Sequence, residues 1–249
     1  MTGAVAMTAF PQRADPDRNA FLVFIGLVWV GILSGFGTDS FQHVAKHGLD
    51  YPLIVHFHAL AFVSFLVLFT VQAVLVRTGR IDLHRRLGVG LAALVAVMLV
   101  LGPATAITAD ALDYNRHGIT PEFLAVQFID MTFFATVVGA ALLLRNRPAA
   151  HKRLMLMALL YISNAGFARY LNNIAAAPIK DVFWNDMVGI YLGGDLLMLG
   201  LGVYDLITRR RLHPAYMIAF AWAICLELTA RAGLYSPAWK AISMHLIGH

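Results

Sequence analysis

Among the polar residues inside otherwise apolar runs of this chain, nine mark the candidate pocket: His58, Gln127, Asp130, Asn164, Arg169, Asn173, Asp195, Glu227 and Arg231. An ionisable group in lipid costs at least about 2.5–3.5 kcal/mol by insertion scales, so such residues face the interior of a helix bundle and mark a ligand pocket. A carboxyl group whose proton affinity is shifted by burial can act as a general base, which makes Asp130 and Glu227 the catalytic candidates. Neutral imidazole is the commonest protein ligand for transition metals, which makes His58 the metal candidate. The acids, taken with Arg169 and Arg231, can hold a zwitterion or relay protons. Two further histidines, His84 and His151, enter apolar runs beside arginines; they are the one plausible opposed pair for a cofactor such as haem b.

Helical spacing sorts these residues. Glu227 and Arg231 stand four apart and can pair along one face, as can Arg169 and Asn173, while Gln127 and Asp130 stand three apart. His56 and His58 are separated by about 200° around a helix, so only one points inward; Gln72 lies only about 40° from His58, which selects His58. Plainer readings stand beside these. Glu227 and Arg231 can be a structural ion pair, and Arg169 can neutralise Asp130 or Asp195. His56 sits close to Pro52 at the interface, and His84, His151 and His213 can be headgroup-level residues next to arginine. Gly26, Gly31 and Gly35 read as close-packing positions.

The composition provides the helices that must hold these groups. The chain is 59% hydrophobic and only 13% charged, with a mean hydropathy of +0.71, whereas a soluble domain carries about a quarter charged residues. Seven stretches, 20–38, 52–76, 85–107, 122–144, 152–175, 185–207 and 214–234, are long enough to cross a hydrocarbon core of about 30 Å. Pro52, Pro121, Pro148 and Pro214 mark helix starts. The expected fold is an all-α seven-helix membrane bundle over 20–234. A polar segment 1–19 precedes it and lacks the features of a cleaved signal, so the first stretch reads as an anchor. A tail over 235–249, with Trp239, Lys240 and His245, reads as an interfacial helix.

Basic residues set the expected orientation. Arg13, Arg18, Arg77, Arg80, Arg85, Arg86, Arg145, Arg147, Lys152, Arg153, Arg209, Arg210 and Arg211 fall on one side; Lys46, Arg116, Lys180 and Lys240 fall on the other. This asymmetry predicts a bacterial inner-membrane protein with a cytoplasmic N-terminus and a periplasmic C-terminus, its pocket in the outer half. The same distribution makes the lipid bilayer the partner that the net charge of +5 serves, and excludes nucleic acid. Cys225 is the single cysteine, so there is no disulfide framework. No phosphate loop, nucleophile elbow, His-Glu-x-x-His or Cys-x-x-Cys occurs. Ser163 is the one intramembrane serine considered as a nucleophile, and no base stands beside it. A retinal protein would need a lysine in the seventh stretch, which has none. His84, His151 and His213 each enter an outward-running stretch, a pattern that three parallel hairpin repeats would produce.

His58, Gln72, Arg77 and the run Leu83-His84-Arg85-Arg86-Leu87-Gly88, followed by His151-Lys152-Arg153-Leu154-Met155 and Arg169, resemble a group of uncharacterised bacterial multi-spanning membrane proteins. That group carries a membrane histidine, a later Gln and Arg, and a His-Arg-x-Leu-Gly junction. The resemblance covers the second to fifth stretches and implies topology, with no activity to transfer. A looser likeness to four-helix b-type cytochromes rests on membrane histidines alone; it departs from that pattern because no two lie mid-membrane on neighbouring helices.

Three functions fit these residues. The first is haem- or metal-assisted redox chemistry with an electron-transfer partner. The outer candidates to face His58 across a haem, His43, His47 and His117, all fall in loops, whereas a non-haem metal can be assembled from His58, Asp130 and Glu227 or Asp195. The second is binding or proton-coupled transport of a small molecule, with Gly193-Gly194 and Pro103 hinting at discontinuous helices. The third is an intramembrane enzyme acting on a lipid or quinone headgroup.

Overall fold

Proline and capping groups start the helices. In the computed structural model, which describes residues 17–249, α1 (Asp17–Ile32) continues through a π-helical turn, Leu33–Gly37, into α2 (Thr38–His47). Then come α3 (Leu53–Arg77), α4 (Ile81–His117) and a 3₁₀ turn Pro121–Phe123 leading into α5 (Leu124–Leu143). α6 (Pro148–Ile162) breaks at Ser163 into α7 (Asn164–Leu171), which ends in a second π turn, Asn172–Ala176. α8 (Val182–Arg209), α9 (Pro214–Leu234) and α10 (Pro237–Leu246) complete the chain. Asp181 caps α8 by accepting from Trp184 N (3.0 Å), and Ser236 caps α10 by accepting from Trp239 N (3.2 Å). No strand occurs among the described residues.

Seven helical segments are long and apolar enough to cross a membrane: Asn19–Lys46, Leu53–Arg77, Ile81–His117, Pro121–Leu143, Pro148–Ala176, Val182–Arg209 and Pro214–Leu234. The protein is a multi-pass helical membrane protein. Of the polar N-terminal segment, residues 1–16 lie outside the described residues, and with them Arg13 and the reading of that segment as uncleaved.

Several expected boundaries are corrected. The first helical segment runs past 38 to His47, and the third runs past 107 to His117. Hydropathy reports only the part of a helix that sits in lipid, and both extensions are polar. His43 and His117 are therefore helical residues and not loop residues; His47 ends α2, and its side chain lies outside the description. Pro103 lies within an unbroken α4, and Gly193-Gly194 within an unbroken α8. The interruption falls instead at Ser163, between α6 and α7.

Successive contacts around the bundle run α1, α3, α4, α5, α9 and α8, with α6–α7 lodged against α1, α5, α8 and α9. α6 is accordingly the most enclosed helix, with Met157, Ala158, Leu160 and Tyr161 fully buried. Two close approaches hold α7 in place. A Cβ on Gly35 would lie 2.0 Å from the Gly166 carbonyl oxygen, so the first helical segment and α7 touch backbone to backbone. A Cβ on Gly193 would lie 2.3 Å from Phe167 Cβ. Gly31 also packs closely, against Phe167, but Gly26 faces open space, so only two of the three expected packing glycines of the first helix serve that role.

The loops 78–80, 144–147 and 210–213 gather arginines at one end of the bundle, the basic end. Not all of these residues are loop charges. Arg153 is 1% exposed and donates through Nε (2.6 Å) and Nη2 (2.7 Å) to both oxygens of the fully buried Asp205. Arg209 reaches Asp205 (3.2 Å) and Asp17 (2.6 Å); Lys152 and Tyr204 also contact Asp17. Burial alone would raise the proton affinity of Asp17, but Lys152 and Arg209 together hold its carboxyl below the ordinary value of 3.8. His213 is a helix cap, its Nδ1 accepting from Ala215 N (3.1 Å).

Candidate functional site

At the end opposite the basic loops, α5, α6, α8 and α9 bring their polar residues inward. Asp130 comes from α5, Tyr161 from α6, Tyr191 and Asp195 from α8, and Glu227 from α9. Glu227, Tyr161 and Tyr191 are all buried, and Asp130 and Asp195 are half-buried. Glu227 interacts with both Asp195 and Asp130, and the two tyrosines sense all three acids. Phe133 stacks on Tyr161 at 3.9 Å between centroids, and Tyr191 follows at 6.2 Å. Both Glu227 oxygens, Asp130 Oδ1, Asp195 Oδ1 and both phenol oxygens are buried without a well-formed hydrogen bond. Gln127, one turn from Asp130 on α5, adds another buried unpartnered oxygen.

Above this cluster an open cleft of about 570 Å³ is lined by Glu122, Arg169, Asn172, Asn185, Asp186 and Tyr235, with apolar walls from Phe123, Ile190 and Leu234. Cleft and cluster share helix faces. Phe123, ending the 3₁₀ turn, is followed by Gln127 and Asp130 of α5; on α7 and α6 Ala168 is preceded by Asn164 and Tyr161; on α9 Leu234 stands seven residues from Glu227. The cleft is thus stacked over the carboxylates, about two turns away.

Three basic residues at this end, Arg169, Arg231 and Lys240, are paired with other acids. Arg169 pairs with Asp39 of α2 at 3.3 Å and lies 3.7 Å over the Phe36 ring, so it does not neutralise Asp130 or Asp195 as expected. The reason is its direction: it leaves α7 toward the first helical segment, against which that face of α7 is packed. Arg231 pairs with Asp186 at 3.7 Å and stacks 4.8 Å from both Phe183 and Tyr235. The expected Glu227–Arg231 pair is therefore not formed, because Arg231 reaches up to the cleft while Glu227 turns to the core. Lys240 of α10 pairs with Glu122 (2.8 Å), and Tyr235 donates to Asp186 (2.7 Å), which raises the phenol's proton affinity.

The remaining expected residues separate from the cluster. Asn164 holds helices together: its Oδ1 accepts from Gly194 N at 2.6 Å. Asn173 is exposed on the second π turn, and its neighbour Asn172 faces α8. His56 is exposed and His58 half-buried, stacked on Phe62 at 4.1 Å and next to the Leu101 backbone of α4. Among the described residues no three His, Cys, Asp or Glu side chains converge as metal ligands, so the set of His58 with Asp130 and Glu227 or Asp195 is not assembled. His84 and His151, by contrast, do meet, with ring centroids 6.5 Å apart. Tyr161 escaped the sequence reading because its apolar ring suits a core position; its place three residues before Asn164 was the available signal. Asp205 was missed because its partner Arg153 reads as a loop charge.

No protein family, curated protein or solved structure matches this chain, so its site is interpreted from its own geometry.

Proposed function

We propose that this protein is a proton-coupled carrier of a small molecule bearing a positive charge, seated in a bacterial inner membrane with the basic loops in the cytoplasm. The lysine and arginine asymmetry supports that orientation, which opens the cleft to the periplasm. The observation that carries the reading is the cluster Asp130–Asp195–Glu227: three acids from three helices, while Arg169, Arg231 and Lys240 are engaged by other acids. Unpaired charge in an apolar interior is strongly disfavoured, so the cluster is neutralised by protons or by a cation. Protons and a cationic ligand then compete for the same oxygens. That competition is the coupling: ligand arriving through the cleft releases protons, and protonation releases ligand. Tyr161, Tyr191 and Phe133 supply ring faces that favour a cationic group over an anionic one.

The test is a pH-difference infrared spectrum of the purified protein. Protonated buried carboxyl bands should appear and be diminished in Asp130→Asn and in Glu227→Gln. In parallel, proteoliposomes loaded with a pH dye should show proton movement that both variants abolish. Spectra in which neither substitution removes a carboxyl band, or proton movement equal to native in both variants, would overturn the proposal.

A further inference from the structure

A second site stands at the basic end, on α3, α4 and α6, and it is independent of the transport reading. His84 is in the first turn of α4 and His151 in the first turn of α6, their rings edge to face at 81° with centroids 6.5 Å apart. His151 gives its Nδ1 proton to the Ala141 carbonyl at 2.8 Å. A neutral imidazole that donates from Nδ1 presents a lone pair at Nε2, the arrangement that orients metal-bound histidines. His84 stands against the main-chain carbonyl of Gln72, and its Nδ1 is buried with no partner. Gln72 adds the third component. It is buried, 7% exposed, with neither its amide oxygen nor its nitrogen hydrogen-bonded. Its Nε2 would lie 3.6 Å from a Cβ on Gly88, one turn beyond His84, so the amide rests on the helix face that carries His84.

From these groups we infer that His84, His151 and Gln72 form a binding site for a single transition-metal ion of borderline softness, of the Zn(II) or Cu(II) class. Two imidazoles bound to one ion at about 2.0–2.1 Å keep their ring centres roughly 3 Å from it, so centres 6.5 Å apart are within a small closure of sharing one ion. The Gln72 carbonyl oxygen supplies a third donor. Neutral nitrogen and oxygen donors suit these ions, whereas Mg²⁺ and Ca²⁺ need carboxylates. The nearby arginines, Arg77, Arg80, Arg85, Arg86, Arg145 and Arg147, are all exposed to solvent, and of these Arg85 bears electrostatically on His84.

The experiment uses the full chain in detergent, any affinity tag removed, stripped with chelator and titrated with Zn(II) or Cu(II). Native protein should retain one equivalent by elemental analysis. His84→Ala and His151→Ala should each weaken binding by at least tenfold, and Gln72→Leu by about tenfold. His245→Ala, on the exposed face of α10, should leave it unchanged. Because the alanine variants also alter packing, Gln72→Glu provides a gain: a carboxylate oxygen in the same place should tighten binding. The Cu(II) paramagnetic resonance spectrum should show coupling to two nitrogens, reduced to one in either histidine variant. Retention of the metal in the His84→Ala/His151→Ala double variant, no retention by folded native protein, or a haem Soret band lost with either histidine would each overturn the assignment.

Discussion

Ten residues of α8, about 15 Å of helix, separate Asp195 from Asp205, and the two acids live under opposite conditions. Asp205 is enclosed by Arg153 and Arg209, its oxygens saturated by guanidinium donors, and Asp17 beside it is met by Lys152, Arg209 and Tyr204. Asp195 faces Glu227, which in turn senses Asp130, and Tyr191 senses all three acids. One end of the bundle is locked by complementary charge and the other holds like charges together. An assembly selected only for stability would pair both, because a buried acid without a base costs far more than it returns. On the proposed reading the unpaired end carries the function, and the paired end is the frame against which it works.

Breaking that contrast should produce graded effects. The largest is at the basic end: Arg153→Met strips the fully buried Asp205 of its bidentate partner, leaving it only the longer contact from Arg209, and should cost about 3–5 kcal/mol, read as a lowered thermal or denaturant midpoint in detergent. Replacing both partners, Arg153→Met with Asp205→Leu, should recover most of that loss; no recovery would mean that the pair does more than neutralise itself. The second is at the contact that holds α7 on α8. A Cβ on Gly194 would lie 2.6 Å from Asn164 Oδ1, so Gly194→Ala should destabilise by about 1–3 kcal/mol, and Gly194→Ala with Asn164→Ala by less. Third, Glu227→Gln should leave the midpoint within about 1 kcal/mol of native, although it abolishes proton movement. A loss as large as that of Arg153→Met would show the acidic cluster to be structural after all. The smallest effect is in acid. The folded-state carboxyl of Asp17 is held below 3.8, so its contribution is complete above that value and fades as pH falls through the lower folded value. Asp17→Asn should remove that acid-side slope while leaving the neutral-pH ordering of the other variants intact.

The helix count was legible in the sequence because a membrane span announces itself in one dimension. Proline at the helix starts placed four N-termini well. Helix ends were less legible: α2 and the last turns of α4, with Asp110, Asp113 and Arg116, are polar, and hydropathy does not see a helix once it leaves lipid. Which polar residues fall inside apolar runs was also readable, Asp130, Asp195 and Glu227 among them. Their partners were not. Spacing along one helix puts Glu227 and Arg231 on a common face, yet a long arginine side chain reaches a neighbouring helix as easily, and Asp186 is where it goes. Partner choice depends on the rotation and spacing of several helices at once, which no single-helix pattern encodes. Arg169 with Asp39 and Arg153 with Asp205 were missed for the same reason.

The length of α4 decides from which phase a ligand arrives. Its 37 residues span about 55 Å at helical rise, against a hydrocarbon core of about 30 Å. Its far end is braced by the C-terminus: His249 contacts Asn115 at 3.2 Å and packs against Tyr114, and α10 is tied to Glu122 through Lys240 and Trp239. This collar stands beyond the lipid on the side where the cleft opens. A solute dissolved in water meets the mouth directly, whereas one dissolved in the membrane would have to climb over a polar parapet to reach it. If the protein is the carrier proposed above, this shape has it take its solute from the aqueous phase and not from the bilayer.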